Sequence, residues 1–398
     1  MAVQESLPRI RNGGSSSLLY DPKVRGIAFQ AILTIGLIVF FGWLALNTYE
    51  NLQRANIASG FGFWSGRAGF DISQTLIPYD PNSTYGRAFL VGLLNTLLVA
   101  GIGIVLASIL GFILGIARLS KNWLIAKIAT VYVETLRNIP LLLQLLFWYK
   151  AVLSVLPGPR QSYQLPLGSN LSNRGLILPN PIFGEGFGKT LVALLVATLA
   201  VVLIAMWAKR RQMATGQPFP MFLVGLGILI GVPLVVFLAT GAPLSFEFPE
   251  LKGFNFVGGF QIKPEFMALL LGLVLYTATY IGEIVRAGIL AVAHGQTEAS
   301  YALGLRAGVT LRLVVIPQAL RVIIPPLTSQ YLNLTKNSSL AVAVGYPDLV
   351  SVFSATVLNQ TGQAVEVIFI TMMVYLTISL ITSAFMNWFN RSVALVER

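Results

Sequence analysis

The sequence predicts an all-α integral membrane protein with about eight transmembrane helices and both termini in the cytoplasm. Of its 398 residues, 55% are hydrophobic and only 11% are charged, whereas soluble domains carry about 25% charged residues. Long apolar segments recur along the chain, and an apolar helix of about 20 residues crosses the hydrocarbon core of a bilayer. Lysine and arginine collect in alternate connecting segments, which sets the orientation.

Each expected span is an apolar segment of roughly the length that a membrane requires. The eight segments are Ile27 to Thr48, Ala88 to Ala117, Ile139 to Leu156, Lys189 to Trp207, Met221 to Thr240, Phe266 to Val292, Leu313 to Leu332 and Val365 to Phe389. The first segment is too long for the apolar core of a cleaved signal peptide. We therefore expect it to be retained as an accessory helix.

These segments divide the chain into a main helical domain and several additions. The expected divisions are a polar cytoplasmic tail (1–26), the accessory helix (27–48), a periplasmic loop (49–87), the main domain (88–389) and a short cytoplasmic tail (390–398). Within the main domain, residues 157–264 differ in composition, because loops rich in Pro, Gly and Asn bracket two moderately apolar spans. We interpret this block as an insertion that contributes two extra helices. Elsewhere, glycine pairs such as Gly111 and Gly115 favour close helix packing, within the bundle rather than in a dedicated dimer.

The distribution of charge places both termini inside the cell. With the N-terminus in the cytoplasm, the cytoplasmic segments hold fourteen basic and four acidic residues, while the outer segments hold nine of each. Positive loops are retained on the cytoplasmic side. The even number of spans satisfies this rule, and the cytoplasmic excess also favours contact with anionic lipid headgroups.

Composition excludes several classes of function. The chain has no cysteine and one histidine, so neither a disulfide framework nor a thiolate or imidazole metal site is expected. The net charge of +12 is dispersed between spans rather than gathered in one stripe, which argues against nucleic-acid binding. We expect no cofactor in this chain.

One glycine-rich run imitates a nucleotide-binding loop but has the wrong spacing. Residues 184–190 read GEGFGKT, and a phosphate-binding loop needs a glycine five residues before Gly188, where Phe183 stands. We also expect no strand before the run and a membrane span after it. ATP hydrolysis, if the protein depends on it, therefore belongs to another polypeptide.

Two pairs of opposite charges lie within or beside the spans. Glu134 and Arg137 are three residues apart, as are Glu283 and Arg286, so each pair lies on one helix face and is expected to form an ion pair. Charges in a membrane are costly and often functional. Two interpretations remain open: ion pairs that fix the packing of the bundle, or part of a transport pathway or gate.

The seventh span contains residues that disturb a helix. Pro317, Pro325 and Pro326 remove backbone donors, and Arg321 stands between them, so we expect a kinked or broken helix. Broken helices at membrane depth usually line cavities.

A polar stretch follows the seventh span. Residues 331–340 read YLNLTKNSSL and offer amide, hydroxyl and ammonium groups, including those of Lys336 and Ser339. We consider two alternatives equally: a substrate-binding element for a zwitterion, or a polar outer loop.

The segment Gly295 to Gln318 is polar and lies between two apolar spans on the cytoplasmic side. Glu298, Ala299 and Ser300 stand in a helix-forming stretch that Gly304 punctuates. A short helix on the membrane surface is suited to insert into a groove of a soluble partner. This segment therefore predicts a partner-binding element.

The pattern of Glu298-Ala299-Ser300, then Gly304, then Ile316-Pro317-Gln318 resembles the EAA coupling loop of type I ABC importer permeases. The continuations IPQALRVIIPPL and LTKNSSLA, with ETLRNIPLLLQLLFWY upstream, resemble the polar amino acid branch, the histidine and glutamine permease family. The accessory helix, outer loop and insertion resemble the longer permease subunits of the general L-amino-acid transporters of proteobacteria. Ser300 departs from the family, which usually has alanine there, and Asn337-Ser338 replaces an acid and a threonine.

This resemblance implies the type I importer fold and a set of partners in the bacterial inner membrane. The partners would be a second related permease, a cytoplasmic ABC ATPase dimer that binds ATP and Mg²⁺, and a periplasmic amino-acid-binding protein that delivers an L-amino acid. Glu298, Ala299, Ser300, Gly304 and Pro317 would then form the coupling loop, and this chain would itself perform no bond chemistry. Two alternatives are an ion-coupled secondary transporter that uses Glu283 and Arg286, and a membrane anchor without a pathway.

Overall fold

The computed structural model describes residues 22–54 and 60–393 and is built mainly from helices. The α-helices are α1 (Pro22–Arg54), α2 (Tyr85–Arg118), α3 (Trp123–Asn138), α4 (Leu141–Leu146), α5 (Phe187–Thr215), α6 (Met221–Ala239), α7 (Pro264–Leu290), α8 (His294–Ala302), α9 (Ala307–Thr310), α10 (Ile316–Asn337), α11 (Leu358–Thr361) and α12 (Ala364–Val393). Stretches of π-helix (Phe147–Leu153, Leu311–Val315, Val350–Val357) and 3₁₀-helix (Gly62–Ser65, Pro159–Gln161, Pro166–Gly168, Ser338–Val344) connect them. Most of the tails expected at 1–26 and 390–398 lies outside the described residues.

Seven helices of the described part of the chain are long and apolar enough to cross a membrane, and they correspond to seven of the eight predicted spans. The remaining one, predicted at Ile139 to Leu156, is the shorter apolar helix Leu141–Leu153. At about 1.5 Å per residue this helix is too short to cross alone. It follows α3, from which Ile139 and Pro140 separate it, because proline does not continue the preceding helix.

Helices α2 and α7 form the tightest contact of the bundle. A methyl group at Gly115 would lie 2.7 Å from the carbonyl oxygen of Gly282 and 2.7 Å from Cβ of Val285. Only glycine therefore permits this approach of the two backbones. The predicted small-residue pair thus serves packing within the chain. The buried cores extend from this contact to α10 through Ile323 and to residues 341–346.

Three helices stand apart from this core. No residue in the apolar stretch of α1 is buried among the described residues. Helices α5 and α6 pack against each other, and their buried residues are few and small: Ala193, Ala197, Ala208 and Gly225. Large apolar side chains make up most of the exposed surface in the apolar stretches of these helices, so lipid is the natural surrounding of those stretches.

The insertion contains strands as well as its two helices, which the sequence did not predict. The strands are β1 (Tyr163–Leu165), β2 (Ser169–Ser172), β3 (Gly175–Leu178), β4 (Asn180–Phe183), β5 (Leu244–Glu247), β6 (Glu250–Lys252), β7 (Asn255–Val257) and β8 (Phe260–Ile262). They form an antiparallel sheet in the order β1-β2-β3-β8 and two hairpin sheets, β4-β5 and β6-β7. In the register, Leu176 pairs with Ile262. The all-α description therefore holds for the bundle and not for these outer segments.

The seventh predicted span is not broken. Helix α10 runs through Pro325 and Pro326, and Pro317 lies in its first turn. A proline in the first turn costs little, because that N–H has no helical partner. Pro325 and Pro326 leave the carbonyls of Arg321 and Val322 without their usual donors, yet the helix continues on both sides. The irregular geometry lies earlier, in the π-helix Leu311–Val315.

The contact between α2 and α7 yields a prediction with a matched control. Gly115→Ala places a methyl group against backbone and should destabilise the protein by about 1–3 kcal/mol, because a packed interface must shift. Gly101→Ala adds the same group on the same helix where nothing lies within 4 Å. Thermal unfolding in detergent should show a lower midpoint for Gly115→Ala alone. Equal midpoints would contradict the packing described here.

Candidate functional site

The predicted partner-binding element is the short helix α8, and its end is defined by Gly304. The N–H of Leu305 donates to the carbonyl of Ser300 at 3.1 Å, and that of Gly304 donates to Tyr301 at 2.9 Å. This is the Schellman arrangement, which needs a left-handed residue after the helix. Gly304 has φ +73°. Its role follows from backbone conformation, because a side chain there would meet open space.

Helix α8 presents one face to its own subunit and another to solvent. Ser300 is buried, and its hydroxyl donates to the carbonyl of Gln296 at 2.7 Å. Serine in place of alanine therefore leaves no unsatisfied group. Glu298 and Ala299 are exposed, as are Tyr301 (52%) and Leu303 (79%). Sequence analysis did not select Tyr301 and Leu303 as site residues, because large apolar residues recur through the rest of the segment and do not single these two out.

The segment Gly295 to Gln318, which includes α8, folds back on the start of α10. Helix α8 packs against the π-helix Leu311–Val315. The amide of Gln318 donates to the side-chain oxygen of Gln296 at 3.3 Å, and Pro317 lies beside it in the first turn of α10. The residues predicted as one loop are therefore one structural unit with α10.

His294 and Glu298 form an exposed contact on α8. Their Nδ1 and Oε1 atoms are 2.9 Å apart, and both side chains are largely exposed. Spacing of four residues places them on one helix face. This contact was not predicted, and it holds the carboxylate of Glu298 at the surface of the helix.

A cluster of charges joins the C-terminal parts of α2, α3 and α7. Arg286 binds Glu283 in a bidentate manner at 2.6 and 3.1 Å, as predicted. Arg118 binds Glu283 at 2.5 Å and Glu134 at 3.3 Å. The expected pair of Glu134 and Arg137 is wrong, because Arg118 of α2 binds Glu134 of α3 instead.

Arg137 has another partner. Its guanidinium lies over the ring of Tyr280, 5.2 Å from the ring centroid, at a distance suited to a cation–π interaction. Arg321 takes part neither in the charge cluster nor in the contact between Arg137 and Tyr280. Two of its nitrogens, Nε and Nη2, are buried with no hydrogen-bond partner among the described residues.

Lys336 and Ser339 line a chamber of about 450 Å³ between the outer end of α10 and α12. Its other walls are Val350, Thr371, Met372, Tyr375, Leu376 and Ser379. The polar stretch is thus not an outer loop: it continues α10 into the 3₁₀-helix Ser338–Val344. The chamber combines one ammonium group, several hydroxyl groups and apolar side chains.

Buried polar groups lie behind this chamber, and sequence analysis missed them. Asp348 is fully buried, and its Oδ1 accepts the N–H of Ser351 at 2.8 Å, while Oδ2 has no partner among the described residues. The Tyr375 hydroxyl faces this carboxylate without a bond of normal geometry. A short motif, Tyr-Pro-Asp-Leu, was the only signal available. No group of His, Asp or Glu in residues 22–54 and 60–393 is arranged to hold a metal ion.

Comparisons with known proteins match nearly the whole chain. The family model for a binding-protein-dependent transport system inner membrane component matches residues 202–395. The general L-amino acid transport system permease protein AapQ of Rhizobium johnstonii is 56% identical over 96% of this chain and 95% of its own length. The putative amino-acid ABC transporter permease protein YhdX of Escherichia coli is 53% identical over 95% of this chain and 96% of its own length. The glutamate/glutamine/aspartate/asparagine transport system permease protein BztB of Rhodobacter capsulatus is 45% identical, with 96% and 97% covered.

The charge cluster yields a prediction with an exposed pair as control. Arg118→Met removes the partner of two carboxylates from a site where the arginine side chain is only 11% exposed. Loss of one partner of a mostly buried pair should cost about 2–4 kcal/mol. Arg54→Met breaks a pair whose side chains are 74% and 61% exposed and should cost less than about 1 kcal/mol. Thermal unfolding in detergent measures both, and a similar loss in the two variants would refute the role of Arg118.

Proposed function

Because the chain belongs to the family of binding-protein-dependent transport system inner membrane components, we propose that it moves L-amino acids across that membrane. It is a multi-pass permease subunit of an ABC importer and not itself an enzyme. The observation that carries the choice of substrate is 56% identity, over 96% of this chain, to a general L-amino acid permease. Membership in this family disfavours the ion-coupled secondary transporter.

The proposed partners supply what this chain lacks. They are a second related permease that completes the pore, an ABC ATPase dimer in the cytoplasm and a periplasmic amino-acid-binding protein. ATP and Mg²⁺ would bind to the ATPase. In this chain, the run at residues 184–190 follows a strand, β4, contrary to expectation, but it still has the wrong glycine spacing and opens an apolar helix of 29 residues.

We assign contact with the ATPase to α8. Tyr301 on this helix and Leu303 directly after it are exposed, and such large apolar groups suit a groove on a soluble partner. Glu298 and Ala299 share the exposed surface. The bond from Gln318 to Gln296 links α8 to α10, so displacement of α8 would be transmitted to α10.

The same helix α10 carries the proposed substrate chamber at its other end. A zwitterionic amino acid needs a cation for its carboxylate, and Lys336 supplies one at the chamber wall. Ser339 and Thr371 supply hydroxyl groups, while Val350 and Met372 supply apolar contact. We propose that Arg118, Glu134, Glu283 and Arg286 close the cytoplasmic side as a gate. Alternating access then follows from motion of α10 between two arrangements.

Reconstitution tests this function directly. The chain is combined in proteoliposomes with its partner permease, ATPase and binding protein, and uptake of radiolabelled glutamine and leucine is followed with and without ATP. ATP-dependent accumulation of amino acids is expected. Uptake that needs no ATPase and is abolished by an ionophore would instead establish ion coupling.

The end of the proposed coupling helix α8 yields a prediction. Gly304→Ala forces a non-glycine residue into the left-handed region, at about 1–2 kcal/mol, and should reduce ATP-driven uptake about tenfold by fraying α8. Gly308→Ala is the control, since Gly308 also has no atom within 4 Å but has no positive φ. Equal uptake by both variants, at equal amounts in the membrane, would contradict this role.

The chamber at Lys336 yields a further prediction. Lys336→Met keeps the length of the side chain but removes the ammonium, and uptake should fall about 10- to 100-fold, because a hydrogen bond to a charged group is worth about 1.5–3 kcal/mol. Lys127→Met makes the same change at an exposed position near the start of α3 and should retain uptake. ATP hydrolysis by the complex provides a second readout of assembly. Normal uptake by Lys336→Met would exclude the lysine from substrate binding.

A further inference from the structure

A cluster of positive charge lies where α5 ends and the chain turns into α6. Lys209, Arg210 and Arg211 follow one another near the C-terminal end of α5. We name residues 207–219, which contain these cations and the turn after them, the basic turn. Three successive cations place this turn on the cytoplasmic side of the membrane, because positive segments are retained there.

The charge of the basic turn is not balanced within the protein. Residues 186–246, which include the whole hairpin of α5 and α6, contain no aspartate or glutamate. None of the three cations forms an ion pair with another part of the described chain, and the side chains of Lys209 and Arg210 are exposed. An exposed cluster of one sign attracts opposite charge from its surroundings.

The basic turn is held in shape by one of its cations. The guanidinium of Arg211 lies 5.5 Å from the ring centroid of Trp207 and donates to Oε1 of Gln217 at 3.4 Å. The ring of Trp207 also contacts Phe219 edge to face, with the centroids 5.5 Å apart. Arg211 therefore stabilises the turn, and the other two cations are the ones available to a partner.

The length of α5 sets the depth of the basic turn in the membrane. Lys189, near the start of α5, and Lys209 are twenty residues apart, with no charged residue between them. This interval measures about 30 Å along a helix, which is the thickness of the hydrocarbon core. Trp207 is exposed just before Lys209, and tryptophan is enriched at the boundary of that core. The cations therefore lie at the level of the lipid headgroups.

The sides of the hairpin restrict the kind of partner that reaches this turn. Large apolar side chains such as Leu195 of α5 and Val235 of α6 are exposed, so the partner needs an apolar part beside an anionic one. An acidic soluble protein matches only the charges, and a further apolar helix matches only the sides. A phospholipid with a net negative headgroup matches both.

We propose that the basic turn binds anionic phospholipids of the cytoplasmic leaflet. Lys209 and Arg210 contact the phosphate groups, and Trp207 with the exposed side of α5 contacts the acyl chains. This contact fixes the depth of the inserted hairpin in the membrane. The inference is independent of the solute that the transporter carries.

The absence of cysteine from the chain permits a fluorescent reporter at the turn. Gln212→Cys, at an exposed position, is labelled with a small fluorophore, and the full chain is reconstituted in phosphatidylcholine vesicles. A small fraction of the lipid carries a nitroxide close to the headgroup, either on phosphatidylglycerol or on phosphatidylcholine. Because a nitroxide quenches only at short range, the ratio of the two quenching constants measures the enrichment of anionic lipid at the turn.

With the native charges, the anionic nitroxide lipid should quench at least about fivefold more strongly than the zwitterionic one, the factor for a single basic residue at an anionic surface. Lys209→Gln/Arg210→Gln should bring the ratio close to one. The control, Lys121→Gln/Lys127→Gln, removes two exposed cations at the start of α3 and should leave the ratio unchanged. High salt should lower the ratio, because it screens exposed charges.

Three outcomes would overturn the inference. Equal quenching by the two lipids in the chain with native charges does so directly, and this comparison requires no charge variant to fold. An equal loss in the two double variants would show an effect of net charge and not a site. Failure of both lipids to quench would mean that a protein surface, such as a second copy of this chain, covers the turn.

Discussion

The close contact between α2 and α7 is the constraint on which the rest of the structure depends. Glycine at positions 111 and 115 lets the backbone of α2 meet Ile281 and Gly282 of α7. Without a hydrophobic force between helices in lipid, such close packing is what holds them together. One turn beyond Gly115, the same geometry delivers Arg118 to Glu283. Steric fit thus decides which charges meet.

Helix α7 also positions α10 and α8. A methyl group at Gly288 would collide with Ile323, so α10 also packs closely against α7. The chain leaves α7 at Leu290 and enters α8 at His294, and α8 then contacts the start of α10 through Gln318. Helix α8 and the chamber are therefore both joined to the packed helices α7 and α10 rather than to separate loops.

Features that depend on neighbouring residues could be predicted from the sequence, and features that depend on tertiary contact could not. Apolar length revealed seven long spans, and a spacing of three residues revealed the pair of Glu283 and Arg286. The partner of Glu134 was missed because Arg118 is sixteen residues away and reaches it only through folding. Strands of three or four residues in the insertion are too short for an alternating pattern to identify.

Polar groups buried in the bundle are tolerated because the protein satisfies many of them internally. Asn95 on α2 donates to the carbonyl oxygens of Gln74 and Pro347, each at 2.9 Å, and the N–H of Leu349 donates to Thr96 at 2.9 Å. These fully buried bonds tie α2 to the segment behind the chamber. Asp348 lies in this satisfied framework with one oxygen left unbonded. The helices α1, α5 and α6, whose long apolar stretches are mostly unburied in the described structure, contribute none of these groups.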